Sequence, residues 1–179
     1  LVTGSTGFVG SRLLSSQDAL THHIQFRAVT RRPLEAPFPN VEQFLISDIA
    51  EKTDWTNALL GIDTVVHLSA RVHVMDDKAS NPLEEYRKAN VITTLNLAKQ
   101  AASAGVKRFI FLSSIKVNGE KTDNGKPFTE ESIADPVDPY GISKLEAEEG
   151  ICEMCKTTGM EYVLIRPPLI YGPGVKANY

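Results

Sequence analysis

Apolar residues along this chain fall into short blocks that alternate between two periods. Leu1–Thr3, Gln25–Thr30, Val41–Ile46, Asp63–Ser69, Val106–Leu112 and Glu161–Arg166 are compact runs of the kind strands favour. Asp63–Ser69 and Val106–Leu112 are close to continuously apolar between polar bounds, as in strands covered on both faces. Between these runs the apolar positions recur every three to four residues. Val9–Ser15 opens a helix, and Asn81–Ala104 carries Val91, Leu95, Ala98 and Ala102 at helical spacing before Gly105. A further helix starts at Pro139, with Asp138 placed to cap it, and runs to about Lys156. Asn118–Val137 is polar, rich in Gly, Pro, Asp and Glu, and reads as loop.

Strands separated by helical crossovers predict an α/β fold: a doubly wound, mostly parallel sheet with right-handed connections and helices on both faces. In such sheets ligands bind at the carboxyl ends of the strands. The loops after Thr3, Thr30, Ile46, Ser69, Leu112 and Arg166 should therefore surround one crevice. At 179 residues the chain is long enough for one domain and short for two. It opens inside an apolar strand and stops at Val175–Tyr179 without a closing element, so a piece of a longer protein is expected.

Composition narrows the partners. Apolar and charged shares of 42% and 23% are ordinary for a globular domain. A net charge of −3 gives no electrostatic reason to expect nucleic acid or an anionic membrane surface. No apolar run approaches the roughly 20 residues that span a bilayer, and no secretory leader pattern is present, so a cytoplasmic location is the default expectation. Cys152 and Cys155 form a C-x-x-C, but no second cysteine pair exists and His22, His23, His67 and His73 have no ligand spacing. They read as ordinary helix side chains, and no metal site is expected.

Two constellations carry chemistry. The first is the loop Gly4-Ser5-Thr6-Gly7-Phe8-Val9-Gly10, set between a strand and a helix. Gly4 permits the tight turn, Gly7 lets backbone N–H groups approach a pyrophosphate, and Gly10 lets helix and strand pack closely. The helix start adds free N–H groups for phosphates. The second is Tyr140-Gly141-Ile142-Ser143-Lys144, which puts a phenol and an ammonium on one helix face. The ammonium should lower the phenol's pKa from about 10, giving a group able to exchange a proton with an alcohol. Ser113-Ser114, at the end of the preceding strand, offers a hydroxyl to a substrate oxygen.

Glycine loop, serine and Y-x-x-x-K in this order resemble the short-chain dehydrogenase/reductase superfamily. In detail the chain looks like its extended branch, the NAD-dependent epimerase/dehydratase family, which acts largely on nucleotide sugars. The resemblance spans the chain, through Ser47-Asp48-Ile49, His67-Leu68-Ser69-Ala70, Asn90-Val91-x-x-Thr94, Ser113-Ser114…Gly119, Tyr140…Lys144 and Arg166-Pro167…Tyr171-Gly172-Pro173-Gly174. It implies a Rossmann sheet of strand order 3-2-1-4-5-6, with a C-terminal substrate domain lying beyond this chain. It implies Ser114, Tyr140 and Lys144 as the catalytic set, Ser114 being the serine five residues before a glycine, Gly119. Gly4, Ser5, Thr6, Gly7, Phe8, Val9 and Gly10 would hold the cofactor phosphates. Asp48 and Ile49 would meet the adenine, Leu68, Ser69 and Ala70 the ribose side, Lys144 the nicotinamide ribose, and Pro167 the carboxamide. Asn90 would support the site. A homodimer through the long helix and the Tyr140 helix is implied as well.

Departures from the family pattern change the expected activity. NAD-preferring members carry an acid after the second strand; this chain has Thr30-Arg31-Arg32, and Arg31 tilts the expectation from NAD towards NADP, since arginine can pair with a 2′-phosphate. Dehydratases follow the catalytic hydroxyl with Asp-Glu, where this chain has Ile115-Lys116, so water elimination lacks its proton carriers. A C4 epimerase of a UDP-hexose or UDP-N-acetylhexosamine is the leading reading. An NADPH-dependent 4-keto-sugar reductase of surface-polysaccharide synthesis stands beside it. A non-catalytic dinucleotide sensor is the reading of another class, weakened because both Tyr140 and Lys144 are present. Arg71, His73 and Lys116 lie on loops at the expected crevice and are candidate substrate contacts.

Overall fold

The computed structural model describes residues 1–16, 21–34, 38–72, 81–122 and 125–175. Six parallel strands form one sheet: β1 (Val2–Thr3), β2 (Phe26–Thr30), β3 (Val41–Leu45), β4 (Thr64–His67), β5 (Arg108–Leu112) and β6 (Glu161–Ile165). Their order is β3-β2-β1-β4-β5-β6, as the sequence predicts. The order reverses at β1, where Val2 pairs with Ala28 on one side and Val66 on the other. That reversal is the topological switch point, and the glycine loop leaves the sheet there.

Neighbouring residues on the central strands go to opposite faces, which is how one sheet supports two helix layers. Leu1 and Val29 pack into a core with Trp55, Leu97, Phe109, Phe111 and Ile151. Val2 and Ala28, next to them in sequence, pack on the other face with Leu14 and Phe26. The second core is closed by α1 (Phe8–Leu14); the first is closed by α2 (Thr56–Leu59) and the helices that follow. At the sheet edge Tyr162, Val163 and Ile165 of β6 remain about 40% exposed (43%, 40% and 43%). No helix among the described residues is long and apolar enough to cross a membrane.

The long helix predicted for Asn81–Ala104 is not one regular helix. It runs as α3 (Pro82–Tyr86), a π-helical turn (Arg87–Ile92) and α4 (Thr93–Ser103). The wider turn presents Asn90 to the interior, where Oδ1 accepts from the Arg71 backbone N–H at 2.8 Å. Asn90 Nδ2 donates to the Arg71 carbonyl and to Ser143 Oγ, both at 3.0 Å. Apolar periodicity carries no mark of such a turn, because it reports which face is buried and not the local winding.

The last helix, α5 (Pro139–Thr158), has the predicted start. Asp138 accepts from the Gly141 N–H at 2.6 Å, Pro139 occupies the first turn, and Gly159 ends the helix at φ 74°. Asp138 also pairs with Lys116 Nζ at 3.1 Å, tying α5 to the loop after β5. Asp138→Ala should cost about 1 kcal/mol, the usual value of a side-chain cap, read as a lower urea midpoint of the full-length protein. An unchanged midpoint would mean that Pro139 alone suffices to start the helix.

Candidate active site

The glycine loop is pressed against the sheet by backbone contacts that leave no room for side chains. A Cβ on Gly4, whose φ is 65°, would lie 2.8 Å from Leu68 C and Ser69 N. A Cβ on Gly10 would overlap the Gly4 carbonyl oxygen and sit 2.7 Å from Ser5 Cα. Gly7 is less constrained, its Cβ position being 3.1 Å from the same carbonyl. Ser5 points inward and donates to the Val29 carbonyl at 2.7 Å, so its hydroxyl anchors the loop and does not line the crevice. Thr6 and Gly7 stay exposed.

A crevice of about 930 Å³ runs across the carboxyl ends of the strands, at the upper end of ligand-pocket sizes. Gly4, Thr6, Gly7, Phe8, Val9 and Gly10 form its floor at the switch point. Arg31, Asp48 and Ile49 close one end. Leu68, Ser69 and Ala70 line the middle, and Ser114, Tyr140 and Pro167 the other end, with Arg71 and Lys116 beside them. Asn90 and Lys144 do not line it; each is buried behind the wall. His73 lies outside the described residues. The glycine cradle fits a dinucleotide pyrophosphate: Gly4, Gly7 and Gly10 bring the loop backbone to the crevice floor, and a Cβ on Gly4 or Gly10 would collide with the backbone behind it. Among the described residues no group of three or more His, Cys, Asp or Glu side chains is arranged to hold a metal ion.

Beneath the middle of the crevice stands a column of polar groups that sequence reasoning did not assign. His67 Nδ1 lies 2.7 Å from Thr3 Oγ1, and Nε2 lies 2.9 Å from Thr94 Oγ1. Thr3 Oγ1 also accepts from the Leu68 and Ser69 N–H groups at 3.2 and 3.3 Å. With both acceptor sites of Thr3 used, its hydroxyl donates to Nδ1, which leaves Nε2 as the protonated nitrogen of a neutral ring. Burial, and then the nearby Lys144 charge, bring the His67 pKa down from 6.5 to about 3. The column thereby fixes the turn of Leu68 and Ser69 against the glycine loop.

A pH dependence of stability follows. Between pH 6.5 and about 3 the unfolded chain binds a proton that folded His67 refuses. The unfolded state then holds more protons, so stability falls as pH drops through that window. Paired carboxylates add to the fall only nearer their own pKa values of about 4, and the histidine's share between pH 6.5 and 5 is the difference between wild type and His67→Gln. His67→Gln should lower the urea midpoint at pH 7 yet flatten its decline between pH 6.5 and 5. Parallel declines in the two proteins would show that His67 is protonated in the fold.

Tyr140 and Lys144 stand one turn apart on α5. Lys144 is 2% exposed, with Nζ 4.3 Å from the centre of the Phe111 ring. Burial brings its pKa from 10.5 down to about 7, and the Glu148 carboxylate opposes that fall. The Tyr140 phenol hydrogen-bonds Ser114, and its pKa corrects the sequence expectation: it is raised, not lowered. Burial is the main cause, the Ser114 hydrogen bond partly offsets it, and the Asp138 and Tyr86 side chains add to the rise. The expectation treated the ammonium as the leading influence and left out the cost of desolvating a phenolate.

Ser114 and not Ser113 meets the tyrosine. Ser114 Oγ accepts from the Lys116 N–H at 3.2 Å and caps a 3₁₀ turn (Ile115–Val117) that faces the crevice. The Ser113 hydroxyl is buried, with no partner among the described residues. Gly141 permits the close approach of α5 to this loop, since a Cβ there would lie 2.8 Å from the Lys116 carbonyl. The Tyr86 ring stands edge-on to Tyr140 at 6.0 Å, with the Arg71 guanidinium 5.4 Å from the Tyr86 centre. Lys116 Nζ is held by Glu120 at 2.6 Å besides Asp138. Tyr86 was not foreseen, because its separation from Tyr140 in sequence hides the contact.

A glycine loop at the switch point of a 3-2-1-4-5-6 parallel sheet defines a dinucleotide-binding domain of the Rossmann type. The profile of the NAD-dependent epimerase/dehydratase family matches residues 1–179, and the chain belongs to that family. It is 49% identical over its whole length to a UDP-glucose 4-epimerase of Vibrio cholerae, covering 54% of that protein. It is 34% identical over 99% of its length to N-acetyl-α-D-glucosaminyl-diphospho-ditrans,octacis-undecaprenol 4-epimerase of Escherichia coli O157:H7, covering 50% of it. Among solved structures it is similar to UDP-glucuronic acid 4-epimerase from Bacillus cereus in complex with NAD, with TM-score 0.78 and 25% identity. That match covers 96% of this chain and 57% of the other. The chain thus spans about half the length of the relatives it matches.

Proposed function

We propose that the full-length protein is an NAD-dependent epimerase acting at C4 of a UDP-linked hexose or N-acetylhexosamine. The observation that carries this reading is Tyr140, hydrogen-bonded to Ser114 and one turn from the buried Lys144, at the end of a crevice floored by the glycine loop. Bound nicotinamide would supply a hydride acceptor that can return the hydride to the opposite face of the sugar. The chain's own groups do the proton work. Tyr140 takes the proton of the C4 hydroxyl as the C4–H bond breaks and the carbon becomes a ketone, and gives it back on reduction. Ser114 holds the sugar oxygen in line with the phenol, and the Lys144 ammonium stabilises the phenolate. The 4-epimerase relatives support this reading, as does Lys116 standing where a dehydratase would need a carboxylate.

Arg31 at the adenine end favours a second reading, an NADPH-dependent 4-keto reductase, because a 2′-phosphate there would find a bidentate partner. A non-catalytic sensor would need neither Tyr140 nor Lys144. The readings separate on one preparation of full-length protein. HPLC of the released dinucleotide, with NMR of a UDP-sugar panel, should give retained NAD and a C4 epimer. An empty site that takes NADPH and consumes a 4-keto sugar would replace epimerase by reductase, and inertness towards every sugar would favour the sensor. Pairing of two copies through α4 and α5 belongs to the same proposal, with a dimer mass expected in light scattering.

A further inference from the structure

Behind Lys144, on the side away from the crevice, lies a charged cluster that the proposed chemistry does not use. Tyr140, Lys144 and Glu148 follow one another at intervals of four on α5, so they share a face. The Glu148 side chain is only 3% exposed. Arg166, the residue after β6, grips it with Nε 3.0 and 3.2 Å from the two carboxylate oxygens and Nη2 2.5 Å from one of them. The same guanidinium donates from Nη1 to Asn118 Oδ1 at 3.2 Å. Asn118 closes the turn that begins at Ser114, and Pro167 follows Arg166 directly. The Pro167 carbonyl in turn accepts from the Ile115 N–H at 3.0 Å.

One ion pair therefore joins the three segments that carry Lys144, Ser114 and Pro167. We propose that Glu148 is a positioning residue for the Tyr140–Lys144 pair: clamped by Arg166, it holds the Ser114 and Pro167 segments in register with Lys144 and sets an anion one helical turn behind the buried ammonium.

Burial of an ion pair is costly, and stability alone is a poor reason to keep one. Its position gives it an electrostatic task. The titratable groups that act on Lys144 are His67 from β4, Glu148 from α5 and, through Glu148, Arg166 from the end of β6, with Tyr140 one turn before it on the same helix. His67 and Tyr140 are neutral at pH 7, being pushed down and up respectively. Glu148 is thus the anion that opposes the loss of the Lys144 proton. At a separation of one helical turn, an anion in a medium of intermediate dielectric moves a lysine by roughly one pKa unit or more.

This inference rests on the proposed roles of Tyr140 and Lys144, but its test needs no sugar. Full-length protein carrying ¹³Cε-lysine is titrated by NMR without substrate, the Lys144 signal being identified by its loss in Lys144→Arg. Glu148→Gln should lower the Lys144 midpoint by about one unit. The double variant Glu148→Gln/Arg166→Gln removes both charges together and covers the case in which the single variant fails to fold; it should give a fall of the same sign. Glu148→Asp should restore most of the shift. A midpoint that stays put in the folded variants would overturn the electrostatic role. The epimerase reading fails on a different result, the absence of any epimer from wild type.

Discussion

Tyr140→Phe in the full-length protein should lower kcat for C4 epimerisation by roughly a thousandfold or more while changing KM only a few-fold. The phenol is the group placed to move the C4 proton, because its partner Ser114 is a neutral hydroxyl with no populated basic form to take the proton. Phe fills the same volume beside Tyr86, so the edge-on contact at 6.0 Å and the start of α5 should survive. Substrate contacts supplied elsewhere would then be intact, and the loss should appear in kcat. Burial raises the phenol's pKa in the protein alone, with the Ser114 hydrogen bond partly offsetting the rise. A Tyr140→Phe enzyme retaining a tenth of wild-type kcat would remove the tyrosine from the mechanism.

Gly10→Ala should weaken NAD binding at least about a hundredfold and lower the unfolding midpoint together. The added methyl would overlap the Gly4 carbonyl oxygen and press on Ser5 Cα, both backbone atoms that no rotamer change can move aside. Overpacking of this kind costs about 1–3 kcal/mol in cores. Here any relief must come from shifting Gly4, which is already wedged against Leu68 and Ser69. The shift would reach the Thr3–His67 column through the same two residues. Gly7→Ala is the control: Gly7 has φ −75°, a conformation open to alanine, and its nearest contact is 3.1 Å. It should fold normally and bind NAD far better than Gly10→Ala, as calorimetry and thermal melts would report. Equal losses in both would mean that the packing of helix on strand at Gly10 is not what limits NAD binding.

Much of this architecture is legible in the order of residues because parallel sheets leave a coarse imprint. Six apolar blocks, a glycine loop after the first of them and helical spacing between the rest suffice to give a parallel sheet and its crevice, and the family resemblance adds the strand order. Tyr140 and Lys144 stand out because their spacing is short-range and their chemistry is uncommon, and Ser114 because it follows the end of a strand. What escapes the sequence is long-range and electrostatic. Asn90 demands a π-helical turn because of hydrogen bonds to Arg71 and Ser143, neither visible in its own neighbourhood. His67 looks like one more strand residue until Thr3 and Thr94 close on its two nitrogens. The rise in the Tyr140 pKa depends on how much water the fold removes, a quantity that spacing does not encode. Glu148 is partly legible: an acid four residues beyond Lys144 is on the same helix face, and the fold adds its burial and Arg166.

The central claim, reversible hydride transfer at C4 of a nucleotide sugar, has a direct test. Full-length protein is incubated with a UDP-hexose deuterated at C4, and the product is read by NMR and mass spectrometry. The account predicts a C4 epimer that keeps its deuterium, with no net reduced cofactor released, because the hydride leaves and returns within one bound complex. A product that has exchanged its C4 deuterium for solvent hydrogen, or no epimer at all from any UDP-hexose or UDP-N-acetylhexosamine so labelled, would contradict it.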